Sequence, residues 1–377
     1  MPHESSSQLY SCEGYEEVRK TLYLTDCEGP ISKNDNAFEI AEQFIPGGGA
    51  FFAKLSRYDD FLADVEKRPG YKAGDTLKLI APFLKAFGVT DEAMRNFSRE
   101  TLVLVPRADE VLREVSSLMP TYIISTSYRP YIEALCAAIG FPASNTYCTE
   151  IELDSHVLPE RETAMLQTLV QEVCGLPDIH LPATVTSFEQ LDEGSETTID
   201  RLNKIFWHEL VRLESGKLMS SVNPVGGKEK AKAVASARER EGCDWGDVMY
   251  IGDSITDKDA MELVRSHGGV AISFNGNRYA LQSAEYAVVS QDASVCGVLA
   301  RVFREHGAEG LTAVAVGWQQ KEFASRIVSK EMRDRLDQLV SNGTIFARIV
   351  PERLSDLTAL SERVRKSVRG TKIGSLG

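Results

Sequence analysis

Four continuous runs of apolar residues constrain the fold of this 377-residue chain more than any other feature. The runs are rich in β-branched and aromatic residues and do not alternate with polar ones, so they predict strands buried on both faces of a parallel sheet. Each run ends in a polar or glycine-containing turn. The runs are TLYLTD (21–26), TYIISTS (121–127), DVMYIGD (247–253) and GVAISF (269–274).

Helical patterns follow the second and third of these runs. YRPYIEALCAAIGF has apolar residues at helical spacing, and KDAMELVRSHGG ends in glycines, which commonly terminate helices. Strand, turn and helix in repeated order predict an α/β fold with a doubly wound parallel sheet. Such folds bind ligands beyond the carboxyl ends of their strands, so we expect the functional residues among these turns.

Two long segments interrupt the alternation. Residues 32–100 have helical patterns broken by glycine and proline, and they predict a helical cap. Residues 151–221 predict a second α/β insert, because the strand-like TEIELD leads into two helical patterns. A mainly helical C-terminal extension is expected over 301–377, with AVAVGW as a short strand. The core is then left with three segments: 20–31, 101–150 and 222–300.

The charge balance limits the partners of the chain. A formal net charge of −13 and a pI near 5.1 argue against nucleic acid and against an anionic membrane surface. The opening 20 residues contain no apolar core of a signal peptide, and no run reaches the ~18–20 apolar residues of a membrane span. The seven cysteines form no C-x-x-C pair. We therefore expect a cytoplasmic protein with reduced thiols.

Carboxylates follow the first and third runs. Asp26 and Glu28 in TDCEGP are two positions apart, and extended residues at that spacing project to the same side. Asp253 and Asp257 in GDSITD are four positions apart, which places both on one face as the chain winds into a helix. Together these groups predict an all-oxygen site suited to Mg²⁺. Capping of the following segments is the alternative role for Asp26 and Asp257.

The second run and a later glycine pair bring polar groups of the kind that bind phosphate. The second run delivers three hydroxyls to the start of a helix: Ser125, Thr126 and Ser127. Hydroxyls and free N–H groups at a helix N-terminus can bind phosphate, although such residues also cap helices. Lys228 begins a predicted helix in GGKEKAKAV and could offset the phosphate charge. The alternative is a solvated helix face formed by Lys228, Lys230 and Lys232.

TDCEGP, YIIST, GGKEK and YIGDSITD, in this order, resemble the four motifs of the haloacid dehalogenase (HAD) superfamily. The last three are most similar to its phosphoserine-phosphatase branch. The resemblance covers the three core segments, and it implies a phosphoryl-transfer site with Asp26 as the nucleophile that forms an aspartyl-phosphate. It also implies Mg²⁺ bound by Asp26, the carbonyl of Glu28 and Asp253, with Asp257 binding directly or through water. Ser125 and Lys228 would hold the phosphoryl oxygens.

Glu28 departs from the commonest pattern of this superfamily, which has aspartate as general acid and base at this position. The carboxyl group is retained, so Glu28 could still protonate the leaving oxygen and then activate water. The added methylene moves the carboxyl by about 1.5 Å, and an error near ~1 Å at such a site can cost about a hundredfold in rate. Hydrolysis and transfer to another acceptor therefore both remain open.

The resemblance places the cap over the active site, where it would select the substrate. Thr126, Arg129 and Arg57 are the expected substrate-binding residues, although exposed cap charges such as Arg57 often serve solubility alone. The first functional prediction is an Mg²⁺-dependent phosphohydrolase of a small phosphorylated metabolite. The alternatives are a phosphotransferase with the same chemistry and a non-catalytic HAD-like regulatory or assembly subunit. A protein partner or a second copy would bind through the second insert or the C-terminal region.

Overall fold

The structure, a computed structural model, describes residues 20–182, 184–320, 322, 323 and 328–374. The opening segment and Cys12 lie outside these residues. Within them, seven strands form one sheet: β1 (Leu22–Thr25), β2 (Thr121–Tyr128), β3 (Thr146–Thr149), β4 (Val248–Gly252), β5 (Val270–Phe274), β6 (Tyr286–Val289) and β7 (Ile345–Arg348).

The strand order is β3-β2-β1-β4-β5-β6-β7. All neighbouring strands are parallel except β7, which pairs antiparallel with β6. In β1, Tyr23 packs in the core on one face of the sheet, and Leu22 and Leu24 pack in the core on the other. Burial of both faces explains the continuous apolar runs. The predicted α/β class with a doubly wound, mostly parallel sheet is confirmed, while β3, β6 and β7 were not predicted.

Helices cover both faces of the sheet and form the inserts. The first eight are α1 (Asn36–Phe44), α2 (Gly48–Asp60), α3 (Thr76–Ala86), α4 (Asp91–Thr101), α5 (Ala108–Leu118), α6 (Arg129–Ile139), α7 (Glu160–Gly175) and α8 (Glu193–Lys204). The next eight are α9 (Glu214–Ser221), α10 (Lys228–Glu241), α11 (Lys258–Ser266), α12 (Arg278–Ser283), α13 (Ser294–Gln320), α14 (Lys330–Ser341), α15 (Leu354–Arg369) and α16 (Thr371–Gly374).

Two predicted strands are wrong. TEIELD contributes only Thr149 to β3, because Ile151 and Leu153 turn away from the sheet and pack in a hydrophobic cluster with residues of the 32–100 segment. The second insert is helical over its described residues, 151–182 and 184–221, and not α/β. AVAVGW lies inside α13, where Val314 and Trp318 are buried and Val316 between them is half-exposed, a pattern that fits a helix and not a strand.

Residues 32–100 and 151–221 share one hydrophobic core. The Phe83 and Phe206 rings lie 6.1 Å apart between centroids, and the Tyr58 hydroxyl donates to Asn203 Oδ1 at 2.7 Å. The C-terminal region is also joined to the sheet, because it supplies β7. Among the described residues the cysteines are free thiols. No helix in the described ranges is both long enough and apolar enough to cross a bilayer.

Candidate active site

Asp26 lies at the carboxyl end of β1 and is held from both sides of its carboxylate. Its backbone N–H donates to the carbonyl of Ile251 on β4 at 2.8 Å, which continues the sheet by one residue. Oδ1 accepts the Cys27 N–H at 2.7 Å, and Oδ2 lies 2.8 Å from Lys230 Nζ. These contacts fix the orientation of a carboxylate that is only 4% exposed.

Lys230, and not the predicted Lys228, reaches the carboxylates at this edge of the sheet. Lys230 is fully buried, whereas Lys228 is exposed and lines a separate surface groove. At about 100° per residue, two positions along a helix turn the side chain to nearly the opposite face. The spacing of the apolar residues in α10 indicates which lysine is buried. The buried face of α10 consists of Lys230, Ala233, Val234 and Ala237, at i, i+3, i+4 and i+7.

Asp257 joins Lys230 to the loop that follows β4. Its Oδ1 accepts hydrogen bonds from Lys230 Nζ at 2.7 Å and from the Tyr250 hydroxyl at 2.6 Å. Its Oδ2 accepts the backbone N–H groups of Asp253 at 2.9 Å and Ser254 at 3.0 Å. The bond from the Ser254 N–H belongs to a capping box between Ser254 and Asp257. Asp257 thus has the alternative capping role and also holds the buried lysine.

The three aspartates converge on one point. Asp26, Asp253 and Asp257 each offer a carboxylate oxygen, and these oxygens lie within 4.8 Å of one another. Gly29 makes this approach possible: its φ is +108°, and a Cβ there would lie 2.0 Å from Asp253 Oδ2. Buried oxygen ligands at this spacing match the preference of a hard divalent cation.

The pKa values of the buried aspartates and of Lys230 are shifted in different directions. Burial raises the pKa of Asp26, and the Lys230 ammonium opposes that rise. Burial also disfavours the charged forms of Asp257 and Lys230, but their mutual attraction outweighs this, lowering the pKa of Asp257 and raising the pKa of Lys230. Lys230 and Asp257 therefore form a permanent ion pair beside Asp26.

Glu28 lines the same cavity as Asp26 and Asp253. Its Oε1 accepts the backbone N–H of Asn36 at 2.8 Å, which ties the carboxylate to the start of α1. Burial raises the pKa of Glu28 well above its ordinary value, and the neighbouring Asp35 carboxylate raises it further. A carboxyl group with a raised pKa can carry a proton near neutral pH.

The hydroxyls in the C-terminal half of β2 lie at the same edge of the sheet. Ser125 is buried, and its Oγ accepts the Ser127 N–H at 3.1 Å. Thr126 and Ser127 line the cavity, and Thr126 Oγ1 donates to the carbonyl of Val225 at 3.0 Å. The segment around Val225 that precedes α10 is thereby held against the end of β2.

The two arginines expected to bind substrate do not line this cavity. Arg129 begins α6 and turns toward the β3 edge, where its Nε lies 2.6 Å from Glu150 Oε1. Arg57 on α2 is half-exposed, and its Nη1 lies 3.1 Å from Asp60 Oδ2. In both cases a nearby carboxylate holds the guanidinium outside the cavity lining.

Two arginines of α15 reach the cavity instead, and neither was singled out from the sequence. Arg365 Nη1 contacts Asp253 Oδ2, and Arg369 Nη1 lies 3.1 Å from the same oxygen. Both side chains are buried. The sequence signal is weak: Arg365 falls on the buried stripe of α15 with Leu357, Ser361 and Val368, but nothing local shows where that stripe packs.

Helix α2 contributes acidic groups to the cavity. Asp59 and Asp60 at the end of α2 both line the cavity. Asp59 accepts hydrogen bonds from the Tyr71 hydroxyl at 2.7 Å and from the Gly74 N–H at 2.8 Å. Burial raises the pKa of Asp59 to about 7. Its hydrogen bonds to Tyr71 and Gly74 hold the loop over residues 71–76 in place.

A solved structure is similar to this chain over nearly its whole length. A gene product of Archaeoglobus fulgidus is 28% identical with a TM-score of 0.76, over 95% of this chain and 99% of that one. A substrate-bound phosphoserine phosphatase is 12% identical with a TM-score of 0.46, over 74% of this chain and 97% of that one. A probable phosphoserine phosphatase from Vibrio cholerae is 13% identical with a TM-score of 0.42, over 77% and 68%. No protein-family model and no curated protein matches.

Proposed function

We propose that this protein is a phosphohydrolase of the HAD superfamily that acts on a small phosphorylated metabolite through an aspartyl-phosphate on Asp26. The observation that carries the proposal is the meeting of Asp26, Lys230, Asp253 and Asp257 at the carboxyl edge of one parallel sheet. These residues come from three motifs that are distant in the chain. Ligand sites of open α/β sheets lie at this edge.

Asp26 is the proposed nucleophile. One of its carboxylate oxygens attacks phosphorus, an oxygen–phosphorus bond forms, and the bond from phosphorus to the substrate oxygen breaks. The contacts to Cys27 and Lys230 fix the carboxylate before substrate enters, so little reorientation is needed. In the second step, water attacks the phosphorus and releases the Asp26 carboxylate and inorganic phosphate.

Glu28 is the proposed acid and base. Its raised pKa supports a protonated carboxyl that donates its proton to the leaving alkoxide in the first step. The resulting carboxylate then accepts a proton from the attacking water. The hydrogen bond from Asn36 holds the carboxyl in the cavity between the two steps.

Mg²⁺ is the proposed cofactor. The carboxylates of Asp26 and Asp253 and the carbonyl of Glu28 would hold it, and an all-oxygen donor set in a cradle that only glycine permits fits this ion. When bound, Mg²⁺ would neutralise charge that develops on the phosphoryl oxygens. Asp257 completes the acidic cluster and would bind the ion directly or through water, and it also holds Lys230 and the Asp253 backbone.

Phosphate release tests this proposal. Phosphorylated metabolites would be screened with and without Mg²⁺, comparing the unaltered chain with Asp26→Asn. We expect release by the unaltered chain with Mg²⁺ and none by the variant. Equal release by both proteins would contradict the covalent mechanism. Phosphate recovered on an added alcohol would identify a phosphotransferase, and inactivity toward every ester would favour a regulatory subunit.

A further inference from the structure

The catalytic cavity is strongly acidic. Six carboxyl side chains line it: Asp26, Glu28, Asp35, Asp59, Asp60 and Asp253. A phosphate ester is itself anionic, so its entry requires positive partners beyond a single divalent ion. Among the described residues that line the cavity, the only basic side chains are Arg365 and Arg369. Both belong to the C-terminal helix α15, outside the segments that carry the four motifs.

The position of α15 is fixed by contacts along its length. Leu357 packs against Leu281 and Val289 of the sheet region, and Ser361 Oγ donates to the carbonyl of Gly276 at 2.7 Å. Arg365 follows one turn later on the same face, and Arg369 follows one further turn on. The helix therefore holds both guanidinium groups at a defined depth in the cavity.

Arg369 is committed to protein oxygens. Its Nε donates to the carbonyl of Lys33 at 3.1 Å, and its Nη2 donates to the carbonyl of Asn34 at 2.5 Å. Together with the Asp253 contact, these bonds fasten the end of α15 to the loop that precedes α1. Arg369 therefore contributes positive charge to the cavity and fixes the position of α15.

Arg365 retains a free donor. Its Nη1 donates hydrogen bonds to the carbonyl oxygen and to a carboxylate oxygen of Asp253. Its buried Nε has no hydrogen-bond partner among the described residues. The side chain is 4% exposed. An unsatisfied buried N–H is costly, and a planar guanidinium fork is well matched to an oxyanion. Arg57 and Arg129, the cations expected to bind substrate, do not line the cavity: Arg129 pairs with Glu150, and Arg57 pairs with Asp60 and is half-exposed.

We infer that Arg365, positioned with the help of Arg369, forms an oxyanion-binding site through which the C-terminal helix takes part in substrate binding. The inference rests on the proposed function and adds to it the residues that make the acidic cavity accept an anion. The oxyanion is either the phosphoryl group of the substrate or a second anionic group, such as a carboxylate, on the same molecule.

Binding of inorganic phosphate, measured by calorimetry with Mg²⁺ present, tests the site without requiring turnover. Arg365→Met is expected to weaken phosphate binding by about tenfold to a hundredfold, the effect of losing a charged hydrogen bond. Arg363→Met, an exposed position on the same helix, is the matched control and should bind phosphate like the unaltered chain. Arg365→Lys retains the charge and should recover part of the affinity, and it also serves if the methionine variant does not fold.

Two esters distinguish the sources of the oxyanion, one with a neutral tail and one with a carboxylate tail. If Arg365→Lys raises KM equally for both, Arg365 binds the phosphoryl group; if KM rises only for the carboxylate ester and phosphate binding is unchanged, it binds the second anion. The inference would be overturned if the variants left phosphate binding and both KM values unchanged, or if they bound phosphate more tightly. Arg365-dependent phosphate binding by a chain that hydrolyses no ester would support this site while contradicting the proposed function.

Discussion

Lys230 Nζ lies 2.8 Å from Asp26 Oδ2, so a fully buried ammonium group is paired with the proposed nucleophile. The same ammonium contacts Asp257 Oδ1 at 2.7 Å. Removing one partner of a buried ion pair leaves uncompensated charge, which typically costs about 3–5 kcal/mol.

Lys230→Met is therefore expected to lower the free energy of unfolding by roughly 3–5 kcal/mol and to abolish phosphate release. Lys228→Met, two residues earlier on α10, is the control and should change neither quantity appreciably, because that side chain is exposed. Denaturant unfolding and a phosphate-release assay measure the two effects. Equal loss in both variants would contradict the assignment of Lys230.

The acid–base role of Glu28 can be tested with two variants, one that removes the ionisable group and one that shortens the side chain. Glu28→Gln removes the ionisable proton and is expected to reduce kcat by about 10²–10⁴-fold, the usual contribution of general acid–base catalysis. Glu28→Asp retains the carboxyl group in a shorter form and should keep considerably more activity. Steady-state kinetics of the three proteins provides the comparison, and a glutamine variant as active as the aspartate variant would exclude an acid–base role.

Gly29 is expected to tolerate no side chain. Gly29→Ala introduces a Cβ at 2.0 Å from Asp253 Oδ2 and puts an alanine at a positive φ that favours glycine. Asp253 must therefore move, and activity should be lost. Gly88→Ala is a useful control, because Gly88 also has a positive φ, of +78°, but nothing lies within 4 Å of its Cβ position. We expect the control to lose about 1–2 kcal/mol of stability while keeping its activity. Activity retained in Gly29→Ala would show that the close approach is not required.

The stability of the chain should depend on pH through Asp59. The unfolded chain ionises this residue near its ordinary pKa of 3.8, whereas burial raises the folded pKa to about 7. Between these values the folded state binds more protons than the unfolded state, so the free energy of unfolding falls as pH rises through that window.

Asp59→Asn removes this titration. Its melting temperature should therefore fall less than that of the unaltered chain between about pH 4 and pH 7. Asp200→Asn, at an exposed position on α8, should retain the full pH dependence. Identical pH profiles for the Asp59 variant and the unaltered chain would contradict the pKa assigned to that carboxyl.

The sequence predicted the parallel sheet because its strands are buried on both faces and therefore appear as continuous apolar runs. β3 (TYCT) and β7 (IFAR) include polar or charged residues and lie at the two edges of the sheet, so they give no continuous apolar run. β6 (YAVV) is apolar throughout but was not recognised. AVAVGW was mistaken for a strand because six apolar residues do not reveal their period until their surroundings are known. Helical burial of Val314 and Trp318 becomes visible only in the packed structure.

The carboxylates of the site could be found from sequence because they directly follow the ends of predicted strands. Lys230 required the rotation of α10, which the apolar positions Ala233, Val234 and Ala237 indicate. Arg365 and Arg369 depend on long-range packing of a helix more than 100 residues from Asp253, and local patterns do not specify that packing.

The covalent intermediate provides the most direct test of the account. The unaltered chain, mixed with an ester that it hydrolyses and with Mg²⁺, would be quenched in acid, digested with pepsin at the same low pH, at which an acyl phosphate survives, and analysed by mass spectrometry. We predict the added mass of one phosphoryl group on the peptide that contains Asp26, located at that residue. Phosphate release without any modified peptide, or a phosphoryl group on another residue, would contradict the account.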